Sequence, residues 1–211
     1  MFQDRLAAGE QLGERLAERG LGIGVVLGIP RGGLPVARPV ADVLECPLDV
    51  VVASKIGAPH NAELAIGASA ADGSAWYNDT LIDRLDVETD YLEQEREHEA
   101  EAAREKEHRY RGAAGERDLD GEVVAVVDDG LATGATALAC LRQVREAGAE
   151  RVVFAVPVGS QNAIARVERE AEEVVCIETP DRFGAVGQFY RTFEQVPDEE
   201  ALKYLERESA S

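Results

Sequence analysis

Apolar residues along this chain fall into two kinds of run. Gly24 to Ile29, Leu48 to Ala53, Glu122 to Val127, Arg151 to Val158 and Glu173 to Glu178 are short and nearly continuous. Runs of that length without alternation read as strands buried on both faces. Between them, apolar positions recur at helical spacing. Asp4 to Arg19 carries Leu6, Leu12 and Leu16 among charges and stops at Gly20 and Gly22. Leu34 to Leu44 predicts a second helix, with Pro35 suited to its first turn and Pro39 marking a kink or a late start. Ala135 to Ala147, closed by Gly148, predicts a third. Asn162 to Arg169 and a short segment near Asp198 to Arg207 add two more. Buried strands alternating with helices predict an α/β fold: a Rossmann-like, parallel, five-stranded sheet with helices on both faces.

Two stretches interrupt that alternation. Leu64 to Ala70 and Ser74 to Tyr77 flank Asp72-Gly73, a hairpin signal. Leu85 to Arg111 predicts one long charged helix, polar nearly all round, with Glu105–Arg109 and Glu107–Arg111 at supportive spacing. Such a helix reads as a solvated arm or hood. Ser54 to Pro59 and Gly112 to Gly121 read as loops. The organisation expected is one domain over residues 1–211, with a hairpin and long-helix insertion at 56–120 and a small C-terminal hood at 179–211.

Composition narrows the classes. Hydrophobic residues make up 45% of the 211, enough for a sizeable core without disulfides or metals, and aromatics only 5%, so that core is mostly aliphatic. Acidic residues number 41 against 22 basic ones, a net charge of −19, and only Lys55, Lys106 and Lys203 are lysines. This acid-rich surface repels nucleic acid and anionic membrane and is of the kind that high salt screens. Cys46, Cys140 and Cys176 are odd in number and lie in apolar stretches, as reduced thiols of a cytoplasmic protein do. No run approaches the roughly 20 apolar residues that span a bilayer, and Met1 to Gly20 lacks a signal-peptide core.

Ligands of parallel sheets gather at the carboxyl ends of the strands. Three loops therefore matter: those after Ile29, Ala53 and Val127. The last reads Asp128-Asp129-Gly130-Leu131-Ala132-Thr133-Gly134-Ala135-Thr136 and runs into a helix. Small residues at a helix N-terminus let amide N–H groups approach an anion, so a phosphate fits. Thr133 and Thr136 add hydroxyl donors. The two carboxylates would repel phosphate and suit sugar hydroxyls instead. A P-loop is excluded, because Gly134 is followed by Ala135 and the segment has no lysine.

Two hydrophobics, two acids and Thr-Gly-x-Thr resemble the phosphoribosyl pyrophosphate (PRPP) motif of the type I phosphoribosyltransferases. Gly28 to Gly33, Lys55-Ile56-Gly57, Glu63 to Gly67 and Thr179 to Gly187 are similar to a bacterial and archaeal branch of that family. The resemblance implies that Asp128 and Asp129 hold the ribose and Gly130 to Thr136 the 5-phosphate. It implies that Pro30, Arg31, Gly32 and Lys55 hold pyrophosphate, where relatives often carry Arg-Lys and this chain has Ser54-Lys55. It further implies Mg²⁺, bound mainly through substrate and in part by Asp128 and Asp129, since no His/Cys cluster suggests zinc. The implied reaction displaces pyrophosphate from the sugar C1 by a nitrogenous acceptor, with Arg31 and Lys55 stabilising the leaving group. Glu63 is the candidate general acid or base. The base is expected in a pocket at Phe183 and Val186, near Phe189, Tyr190 and Phe193. Ala132 stands where the oxopurine enzymes carry an Asp, which counts against hypoxanthine or guanine. A homodimer is expected. The alternative is a regulatory protein of the same fold that binds PRPP or nucleotides without catalysis.

Overall fold

The computed structural model describes residues 1–112 and 117–206. Part of the expected loop, 113–116, and the end expected for the last helix and hood, 207–211, lie outside the described residues. The chain forms α1 (Arg5–Arg19), β1 (Val25–Gly28), α2 (Leu34–Val43), β2 (Leu48–Val50), β3 (Ala53–Ala58), β4 (Asn61–Ala70), β5 (Ala75–Tyr77), α3 (Asp79–Leu85) and α4 (Thr89–Arg111). It continues with β6 (Val123–Val127), α5 (Ala135–Glu146), β7 (Arg151–Val158), α6 (Gln161–Val167), β8 (Glu173–Glu178), a 3-10 turn at Val186–Phe189 and α7 (Asp198–Leu205).

Five strands make one parallel sheet in the order β2-β1-β6-β7-β8. Its central strands are covered on both faces, as their unbroken apolar runs require. On one face Val25, Leu27, Val124, Val126, Val152, Phe154 and Val156 pack with Leu138, Leu141 and Val144 of α5. On the other, Val26, Ala125, Val127, Val153 and Ala155 pack with Leu12 and Leu16 of α1 and Val36 and Val40 of α2. Asp4 caps α1 by accepting the Ala7 N–H at 2.9 Å, and Gly20 ends that helix at φ 59°.

The run Leu48 to Ala53 is not one strand. β2 stops at Val50, and the chain crosses through Val51 and Val52 to start β3 in a second, antiparallel sheet, β3-β4-β5. Val51 N donates to Gly28 O, while Val52 O accepts from Ala71 N. The backbone changes partners without leaving the interior, so its apolar run hides the crossing. Ser54 to Pro59, expected as a loop, is mostly β3.

The long charged helix starts four residues later than expected, and a separate short helix, α3, ends where it was expected to begin. Asn78 caps α3 through the Leu81 N–H, and Asp86 ends it at φ 51°. Val87 packs under the corner with Ile82, Tyr91 and Leu92, and α4 begins at Thr89. Nor is α4 a free arm. Ala100, Ala103 and Tyr110 are buried against the antiparallel sheet and the start of the parallel one. Glu107 and Arg111 do pair, at 3.3 Å, but Arg109 turns to Asp198 of α7 at 3.0 Å rather than to Glu105. Among the described residues no helix is long and apolar enough to cross a membrane.

Candidate functional site

In the parallel sheet, β1 and β6 are neighbours whose connections depart in opposite directions, β1 through α2 to β2 and β6 through α5 to β7. A crevice opens at the carboxyl ends of such a strand pair. The loops after both strands meet there, and so does β3.

The loop after β6 is tied down by its carbonyls. Leu131 N donates to Val158 O and Leu131 O accepts from Ser160 N, both at 2.9 Å. Ser160 Oγ donates to Ala132 O at 2.8 Å, and an Arg166 Nη donates to Thr133 O at 3.3 Å. Gly134 takes φ 85°, and its carbonyl receives Leu138 N as the first bond of α5. Among the described residues, the amides of Ala132 to Thr136 have no acceptor. Five donors thus converge at a helix N-terminus, the arrangement that binds phosphate.

These amides border a cavity of about 220 Å³ shared by Ile29, Pro30, Lys55, Asp128, the segment from Gly130 to Ala137, and Val186. Lys55 reaches it from β3, where it pairs with Ala68, while Ile56 on the opposite face joins the apolar cluster under α3 and α4. Pro30 and Arg31 are joined by a cis peptide. Glycine is required in this turn: a Cβ on Gly33 would lie 2.5 Å from Ile29 O, and one on Gly32 would collide with Asp129 Oδ2.

The two acids differ. Asp128 lines the cavity, and its Oδ1 accepts the Asp129 N–H at 2.8 Å. Burial, reinforced by the like charge of Asp129, pushes its carboxyl well above the ordinary range. Asp129 does not line the cavity. Its Oδ2 takes Arg5 Nε at 2.8 Å, and the two side chains are only 15% and 12% exposed. Burial raises Asp129 as well, against the opposing pull of Arg5.

Other expected residues are dispersed. Arg31 lies outside the cavity lining, half exposed, with its guanidinium 3.8 Å from Asp198. Glu63 is exposed on β4 and does not line the cavity. Val186 does, and its methyl would meet a Cβ on Gly130 at 2.5 Å. Phe183 stands behind it, stacked on Phe189 with ring centroids 5.3 Å apart.

Sequence reasoning missed Arg5 and Lys106, and it placed Tyr190 near the base pocket, not against the ribose motif. Tyr190 Oη donates to Asp129 O at 2.6 Å, and Lys106 Nζ donates to Pro30 O at 3.3 Å. Burial, and then Arg31, push the Lys106 ammonium below the usual lysine value. The signal for Lys106 was present, since lysine is so scarce here. Arg5 is one arginine among many and carried none.

The family model of the phosphoribosyl transferase domain matches residues 5–194. A Mycobacterium tuberculosis H37Rv protein named "Putative phosphoribosyl transferase Rv0571c" is 44% identical over 208 residues, 98% of this chain and 47% of that protein. Its counterpart in strain CDC 1551, MT0597, matches equally. The chain therefore spans about half the length of these curated relatives. The crystal structure of TT1426 from Thermus thermophilus is 42% identical, covers 97% of each chain and superposes with a TM-score of 0.83. Motif, fold and these similarities agree: the chain belongs to the phosphoribosyl transferase domain family.

Proposed function

We propose that this chain transfers the phosphoribosyl group of PRPP to a nitrogenous acceptor with release of pyrophosphate. One observation carries the reading: five acceptor-free amides and the Asp128 carboxylate share a single cavity with Pro30 and Lys55. The amides and the Thr133 and Thr136 hydroxyls take the 5-phosphate. Asp128 accepts hydrogen bonds from the ribose hydroxyls, and Asp129 braces this loop through Arg5. Lys55, aided by Arg31, draws charge from the departing pyrophosphate. Fixing both ends of the ligand holds C1 in place for in-line attack.

The donor set fits Mg²⁺. Among the described residues no group of three or more His, Cys, Asp or Glu gathers to cage a metal. Asp128, and Asp129 if Arg5 releases it, would offer one or two hard oxygens, leaving substrate and water to complete the shell. When bound, the ion would neutralise the diphosphate as it leaves.

The acceptor would enter beside Val186, with Phe183 behind it. Ala132 offers no carboxylate there, which disfavours an oxopurine. For Glu63 to serve as acid or base, the β3–β4 hairpin must bend over the cavity. Three unpaired thiols fit the reducing cytoplasm proposed for this chemistry.

The test is pyrophosphate release from PRPP and Mg²⁺ with a panel of purines, pyrimidines and amines. At least one acceptor should raise release above the acceptor-free control. Tight PRPP binding with no acceptor-dependent release would replace the enzyme by a PRPP-binding regulatory protein.

A further inference from the structure

We propose that Lys106 is a positioning residue of the pyrophosphate subsite, holding the Pro30–Arg31 loop in place from α4. This rests on the function proposed above.

Lys106 lies on the packed side of α4, one turn from buried Ala103 and one from buried Tyr110. Its ammonium carries three donors. One goes to Pro30 O at 3.3 Å. Among the described residues it has no other acceptor and no carboxylate in ion-pair contact. A half-buried cation with no carboxylate in contact, attracted by the more distant Asp198 and Asp128, adds little to a fold, so packing alone does not account for it. The adjacent cation, Arg31, is poorly compensated too: its ion pair to Asp198 is stretched to 3.8 Å, and Asp198 is also held by Arg109 at 3.0 Å and Tyr110 Oη at 2.7 Å. Two under-compensated cations therefore flank one peptide of a loop that lines the cavity. This happens in a chain whose net charge is −19. Burial and then Arg31 disfavour the charged ammonium, only partly offset by Asp198 and Asp128, and an incoming dianion would add a further offset. A diphosphate at the Pro30–Arg31 loop has the charge and the number of oxygens to do so. Lys106 would then fix the Pro30 carbonyl, keep the loop in its receptive shape and add charge behind it.

The experiment is calorimetric titration of wild type, Lys106→Met and Lys106→Arg with magnesium pyrophosphate and, separately, with ribose 5-phosphate. Losing one charged hydrogen-bond donor should weaken pyrophosphate binding by about tenfold or more in Lys106→Met. Ribose 5-phosphate should stay within about twofold, and Lys106→Arg should recover most of the pyrophosphate affinity. If Lys106→Met does not fold, Lys106→Gln carries the same comparison. Equal pyrophosphate affinity in wild type and the methionine variant overturns the assignment, as does parallel loss of both ligands. Wild-type protein that binds ribose 5-phosphate but not pyrophosphate also overturns it and leaves the loop after β6 intact as a phosphate site. Binding of neither ligand by wild type overturns the phosphoribosyl reading itself.

Discussion

Arg5 Nε stands 2.8 Å from Asp129 Oδ2, which makes the first residue of α1 the partner of the second acid of the ribose motif. Phe193 lies 3.8 Å over the same guanidinium, and Glu194 O accepts from it at 2.8 Å. The adjacent acids that sequence alone treats as equivalent therefore have separate duties, Asp128 toward the cavity and Asp129 toward the frame.

Asp128→Asn should weaken ribose 5-phosphate and PRPP binding by about 10- to 100-fold, the worth of hydrogen bonds to a charged group. It should also raise the Tm of the ligand-free protein at neutral pH. Asp128 titrates above its unfolded value in the folded chain, so the fold binds its proton more tightly. Stability then falls as pH rises from the ordinary aspartate value toward the raised one. The asparagine variant escapes this loss, so its advantage should be present near neutrality and vanish in acid. Calorimetric Tm values across pH check this, and an advantage that persists in acid would exclude titration as its origin.

Arg5→Met should destabilise the fold by about 1–3 kcal/mol, because it strands a mostly buried carboxylate. Asp129 is already raised despite Arg5, so the pair does not fully offset its burial. Adding Asp129→Asn to Arg5→Met should therefore recover stability. Denaturant titration of the four-member cycle measures this; additive losses would show that the two side chains act independently.

Gly130→Ala should cost about 1–3 kcal/mol through overpacking, since its Cβ would sit 2.5 Å from a Val186 methyl. Val186→Ala in the same chain should restore most of that loss. A chain equally unstable with and without Val186→Ala would place the clash elsewhere.

Asp198→Asn should lower Tm modestly near neutral pH. The Tyr110 hydroxyl, and then Arg109 and Arg31, hold the Asp198 carboxyl below its ordinary value. Its contribution is complete above the unfolded aspartate pKa of about 3.9 and disappears as pH falls through the lower folded value. The difference in Tm between wild type and variant should shrink as pH falls below the unfolded aspartate value of about 3.9. A constant difference would assign the loss to packing of α7.

Much of this architecture is legible in the sequence. β7 and β8 begin and end where their apolar runs do, because a strand buried on both faces announces itself without reference to partners. The Asp128 to Thr136 loop is legible because every contact that shapes it is local or made to the next strand and helix. The crossing at Val51 and Val52 is not, since a buried connection is as apolar as the strands it joins. The packed side of α4 escapes notice because Ala100 and Ala103 do the packing; alanine contributes closeness and little hydrophobic contrast. Arg5 and Lys106 reach the site across 124 and 76 residues of chain respectively, and no spacing rule spans such distances.

The anchoring of the loop after β6 has a thermodynamic consequence. Ser160 and Arg166 hold the Leu131, Ala132 and Thr133 carbonyls, so the cradle is already shaped in the free protein. Ordering a flexible backbone costs about 1–2 kcal/mol per residue, and here that entropy is lost when the chain folds. A phosphate meets a preorganised receptor, and its binding enthalpy is not spent on freezing the loop.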